Sequence, residues 1–160
     1  MPQSIAVSTP SDHELVIVRR FEAPRALVFR CYVEPALVRR WLLGPPGWRM
    51  PHCEIDPRAG GRFRYIWRNE QDEEFGVYGT LEEVVPDRRI VSLQSYAGVA
   101  GPPVRLSVDF SGDGAITTVT YRFGYASRAA RDTAIASKMA EGMELGFREL
   151  DGFLLDTPPN

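Results

Sequence analysis

Between residues 52 and 125 the chain alternates apolar and polar side chains with a period of two, in six runs separated by turn residues. That period marks strands with one buried face and one wet face. The runs are HCEID (52–56), RFRYIWR (62–68), FGVYGTLEEV (75–84), RIVSLQSY (89–96), VRLSVDF (104–110) and ITTVTYRFGY (116–125). RAGG, NEQDEE, VPD, AGVAGPP and SGDG separate them, rich in the residues that tight turns require. Successive hairpins are the shortest way to join such runs, so the stretch predicts an antiparallel meander. On the second run Phe63, Tyr65 and Trp67 share one face, while Arg62, Arg64 and Arg68 take the other with Ile66. Val119, Tyr121, Phe123 and Tyr125 form a matching aromatic stripe on the last run. Tyr78 alternates against Phe75, Val77 and Leu81, unless a bulge near Gly76 or Gly79 reverses it.

Helical and extended segments flank the meander. ELVIVRRF (14–21) is a β-branched run that reads as a strand. Pro24 suits the first turn of a helix bearing Leu27, Val28, Cys31 and Tyr32 at helical spacing. Pro35 disfavours helical geometry at Glu34 and restarts a second short helix, with Leu37, Val38, Trp41 and Leu42 on one face; Gly44, Pro45 and Pro46 end it. From a cap at Ser127 to about Leu155, an apolar stripe of Ile135, Met139, Met143, Gly146, Phe147, Leu150 and Leu154 predicts one long helix of about 40 Å. The expected architecture is α+β: a curved antiparallel sheet of about seven strands wrapped around one long C-terminal helix.

The 160 residues, 44% of them hydrophobic, suffice for one domain with a continuous core. We expect a flexible segment over 1–13 and a single domain over 14–156. The net charge is −2 and Lys138 is the only lysine. The arginines are scattered among carboxylates, which argues against a nucleic-acid surface. No run approaches the roughly 20 apolar residues of a membrane span, and the first residues do not resemble a leader, so a cytoplasmic location without membrane insertion is expected. Cys31 and Cys53 form no disulfide framework. His52, Cys53, Glu54 and Asp56 crowd together, but Cys53 points away from the other three on a strand, so no metal site is expected. RAGGR lacks the lysine and hydroxyl of a phosphate-binding loop, and no Gly-x-Ser-x-Gly elbow is present. The residues call for no metal, nucleotide or flavin cofactor.

Four phrases in order, FEAPRALVFRCYVEPALVRRWLLGP (21–45), CEIDPRAGGRFRYIWR (53–68), GTLEEVVPDRRIV (79–91) and EGMELGFRELDGFL (141–154), resemble the START-like superfamily. That superfamily is also called Bet v 1-like or SRPBCC. Within it the chain is similar to the family related to activators of the 90-kDa heat-shock protein ATPase, in their C-terminal domain. The resemblance implies a helix-grip fold with a cavity between the long helix and the sheet, often for a hydrophobic small molecule such as a lipid or polyketide. Gly142-Met143 stands where the family's helix usually carries Gly-Trp, and LLGPPGW follows where a second aromatic before Gly-Pro is common. A flexible methionine in place of a ring softens or enlarges a pocket wall.

The expected function is binding of a small apolar or aromatic molecule in that cavity. The candidate lining residues are Trp41 and Trp48 near the end of the second helix, Phe63, Tyr65 and Trp67 on one strand, Tyr121 and Phe123 on another, and Met139 and Met143 on the long helix. Trp41 would pack inward at the cavity mouth, with Trp48 on its rim. Gly142 and Gly146 lie one turn apart on the same helix, giving either close backbone approach or room for a ligand. A cyclase, aromatase or hydrolase would need an acid-base pair in the cavity, for which Glu54, His52 and Asp109 are the candidates. A partnership with the 90-kDa heat-shock chaperone rests on the family resemblance alone.

Overall fold

The computed structural model describes residues 4–157. The elements, in chain order, are β1 (Ala6–Ser8), β2 (Glu14–Phe21), α1 (Arg25–Val33), α2 (Pro35–Trp41), β3 (Arg49–Ile55), β4 (Arg62–Arg68), β5 (Glu74–Val85), β6 (Arg89–Tyr96), β7 (Val104–Ser111), β8 (Thr117–Gly124), α3 (Arg128–Ala136) and α4 (Met139–Leu155). The eight strands form one sheet in the order β1-β2-β8-β7-β6-β5-β4-β3, antiparallel throughout. The meander from β3 to β8 is as the alternation predicts. Strand β2 pairs with β8, so α1 and α2 carry the chain from near one sheet edge to the other.

This is the α+β helix-grip arrangement, with one element the alternation did not show. Ala6–Ser8, too short to display a period, pairs with Val16–Val18 as an eighth, edge strand. Leu15, Ile17 and Phe21 of β2 and Val119, Tyr121 and Phe123 of β8 turn inward against Phe147, Leu150 and Leu154 of α4.

The single long helix predicted from Ser127 is two helices. Ser127 does cap α3, its hydroxyl accepting from the Ala130 N–H at 3.1 Å. At the other end the Ser137 hydroxyl donates to the Ala134 carbonyl at 2.5 Å, and Lys138 takes a left-handed conformation, φ 61°. A residue in that region ends a helix, and serine competes for the carbonyls that would continue it. Ile135, placed by periodicity on the apolar stripe, is consequently 42% exposed. The helix held by the sheet is therefore α4, 17 residues or about 25 Å long.

Strand β5 comes close to β6 at Gly79. A Cβ at Gly79 would lie 1.9 Å from the Leu93 carbonyl oxygen, so only glycine allows this approach. The bulge on β5 falls between Leu81 and Glu83 rather than near the glycines, and Tyr78 points outward, 48% exposed. Gly79→Ala is expected to lower unfolding stability by about 1–3 kcal/mol in urea titration, because backbone must move. A loss under about 0.5 kcal/mol, within the range of an ordinary surface substitution, would show that β5 and β6 separate freely.

Candidate ligand-binding cavity

The sheet's concave face, α4 and the α2 end of the molecule border a partly open cavity of about 570 Å³. All nine residues singled out from the sequence line it. Alternation on β4 delivers Phe63, Tyr65 and Trp67 together, and β8 supplies Tyr121 and Phe123. Met139 and Met143 are one turn apart on the first half of α4.

Trp41 is buried at the end of α2. Its indole N–H donates to the Cys31 carbonyl at 2.8 Å, and its ring stacks on Phe147 at 6.2 Å between centroids. The two helix glycines have different local surroundings. A Cβ at Gly146 would sit 3.5 Å from the Trp41 carbonyl oxygen and 3.8 Å from its ring, so this glycine brings α4 close to α2. A Cβ at Gly142 would meet nothing within 4 Å, so this position leaves the cavity open. Trp48 is half-buried in the turn after α2. Trp67 holds that turn to β4: its indole N–H donates to the Leu42 carbonyl at 2.8 Å.

The lining also contains residues that the sequence reading did not select. Tyr32 on α1 faces Tyr121, with the hydroxyls 2.6 Å apart and hydrogen-bonded. Burial pushes both hydroxyls above the ordinary phenol range, as it does that of Tyr65, so they stay protonated and neutral. Ser92, Gln94 and Tyr96 line the cavity from β6, and the Gln94 amide donates to the Tyr96 hydroxyl at 3.2 Å. Their spacing in RIVSLQSY was visible, since Ile90, Ser92, Gln94 and Tyr96 share one face. Its mixed polarity sets that face apart from the aromatic stripes of β4 and β8.

The acid-base candidates lie elsewhere. His52 and Glu54 sit together on β3 with Nε2 and Oε2 3.1 Å apart, and Asp109 accepts a hydrogen bond from Arg89 at 2.7 Å. Neither they nor any other Asp, Glu, His, Cys, Lys or Arg is among the residues that line the cavity. Among the described residues no group of three or more His, Cys, Asp or Glu side chains is placed to hold a metal ion.

A curved antiparallel sheet closed over a C-terminal helix, with an aromatic-lined space between them, defines the START-like class, a fold compatible with hydrophobic ligand binding. The chain belongs to the family described as activator of Hsp90 ATPase homolog 1-like protein, whose model matches residues 22–154. Its structure is similar to a crystal structure of a protein from Rhodobacter sphaeroides, at 27% identity and TM-score 0.91, covering 96% of this chain and 99% of that one. It also resembles a protein from Mycobacterium smegmatis, with 23% identity, TM-score 0.85 and coverage of 98% and 99%. An AHSA1-like protein from Aeromonas hydrophila shares 18% identity at TM-score 0.69, over 86% and 92% of the two chains. No curated protein matches the sequence.

Proposed function

We propose that this domain binds a small hydrophobic or aromatic molecule in the cavity between α4 and the sheet. The observation that carries the reading is the space itself: about 570 Å³, walled by aromatic and aliphatic side chains and left open at Gly142. Cavities of about 300–1,000 Å³ accommodate drug-sized molecules, and apolar walls make burial of an apolar ligand favourable. Trp41 supplies a rigid wall at the α2 end and Trp48 the adjoining rim. Residues 14–156 act as one binding unit in this reading, with the segment over 1–13 preceding it. No helix of the described residues is long and apolar enough to cross a membrane.

Filling the cavity tests the reading. The fluorescence of N-phenyl-1-naphthylamine, an apolar dye, is expected to rise saturably with the wild-type protein. Met143→Trp puts a larger, rigid ring into the wall and is expected to weaken dye binding by about tenfold or more, a difference of at least about 1.4 kcal/mol. Unfolding stability measured alongside separates lost space from lost fold. Unchanged affinity in a folded Met143→Trp protein would place the dye outside the cavity.

A further inference from the structure

We propose that the natural ligand is uncharged and carries one neutral hydrogen-bonding group, a carbonyl, amide or hydroxyl, which seats against Ser92 and Gln94 on β6. This rests on the cavity reading above and narrows the class of molecule the cavity takes.

The wall has polar atoms but no formal charge. None of its residues is acidic or basic. Arg19, buried on the core face of β2, does not line the cavity and is engaged by Asp151, with nitrogen–oxygen distances of 2.6 and 3.0 Å. An anion entering this space would exchange its hydration for neutral donors alone, with no cation to offset the loss. A cation would meet neutral acceptors without a carboxylate.

Apart from the tyrosine hydroxyls, of which those of Tyr32 and Tyr121 bond each other, the polar side chains of the wall lie in a narrow stripe. Ser92 and Gln94 are 5% and 9% exposed, buried on the inward face of β6. Ser92 pairs with Leu81 on one side and Leu106 on the other, and both leucines also line the cavity. Gln94 pairs with Gly79 and Val104. The stripe is therefore one strand wide in an otherwise apolar and aromatic region. Among the described residues, Gln94 uses one amide N–H on Tyr96, while its carbonyl and second N–H have no assigned side-chain bond. The Ser92 hydroxyl likewise has no assigned partner among them. These atoms face the cavity and are not among the sealed polar atoms without partners, so a ligand that offers both a donor and an acceptor replaces the water it displaces from them, whereas a pure hydrocarbon does not.

The test is calorimetric titration at pH 7.5 with three compounds of one skeleton: 2-naphthamide, 2-ethylnaphthalene and 2-naphthoic acid, the last ionised at that pH. The amide is expected to bind tightest, with the carboxylate weaker by about tenfold or more because it enters unpaired. Gln94→Met, close in size and apolar, is expected to erase the amide's advantage over ethylnaphthalene and leave ethylnaphthalene within about twofold of wild type. Ser92→Ala, a smaller change, is expected to reduce the same advantage partially. Equal affinity for amide and carboxylate would overturn the charge selection. An amide advantage that survives both substitutions would overturn the seat on β6. Binding of ethylnaphthalene without any preference for the amide would overturn this inference and leave the cavity reading standing. Failure of all three compounds to bind would overturn both.

Discussion

Asp151→Ala is expected to lower the free energy of unfolding by about 3–5 kcal/mol, because it strands a buried cation. Arg19 is fully buried on the core face of β2. Its guanidinium donates to both oxygens of Asp151 on α4, at 3.0 and 2.6 Å, and to the Arg20 carbonyl at 2.7 Å. It also lies over the ring of Phe21, 4.9 Å from the centroid, and faces that of Phe147 at 5.9 Å. Glu144 is the remaining carboxylate nearby, at 3.6 Å, and both its oxygens lack a hydrogen-bond partner among the described residues. It is a poor substitute for the bidentate pair, whose two parallel bonds match the planar guanidinium. Removing Asp151 leaves Arg19 facing only Glu144, without a hydrogen bond to it, whereas removing both leaves Glu144 still beside Arg148 at 3.5 Å. Replacing the pair together, Arg19→Met with Asp151→Leu, is therefore expected to restore most of the lost stability. Urea unfolding of the three proteins measures this. A loss under about 1 kcal/mol for Asp151→Ala, the size of an exposed pair, would show that Arg19 reaches water.

Trp41→Ala has an effect of similar size for a different reason. The ring is 3% exposed, stacks on Phe147 and lies 5.0 Å from the Tyr32 ring centroid. Its removal deletes that packing and leaves the Cys31 carbonyl without the indole donor. A loss of about 3–5 kcal/mol is expected from the cavity created. Trp41→Phe keeps much of the burial and loses the hydrogen bond, so its expected loss is nearer 1–3 kcal/mol. If Trp41 also forms the ligand wall, apolar dye binding weakens in both variants under conditions where each remains folded. Unchanged affinity in both would reduce Trp41 to a core residue.

The sheet was legible because its information is local. Each run carries its own period and each turn its own chemistry, so β4, β6 and β2 have the same limits in sequence and structure. What depended on distant partners was not legible. Arg19 follows Leu15 and Ile17 on the core face of β2, but the carboxylate that makes its burial tolerable is 132 residues away. The helix break at Ser137 and Lys138 involves neither glycine nor proline, the usual markers of such a break. The aromatic lining was legible because large rings at period two stand out. The polar stripe on β6 has its spacing in the sequence, but the leucines that flank it, Leu81 and Leu106, come from β5 and β7, which only the strand register brings alongside.

The most direct measurement is carbon-13 NMR of the methionine methyl groups during titration with N-phenyl-1-naphthylamine. Met139 and Met143 line the cavity, whereas Met50 is buried in a separate cluster with Val38 and Cys53. A ligand between α4 and the sheet shifts the Met139 and Met143 signals saturably, with one dissociation constant matching the dye fluorescence, and moves Met50 less. Saturable dye fluorescence with Met139 and Met143 unmoved would contradict the account.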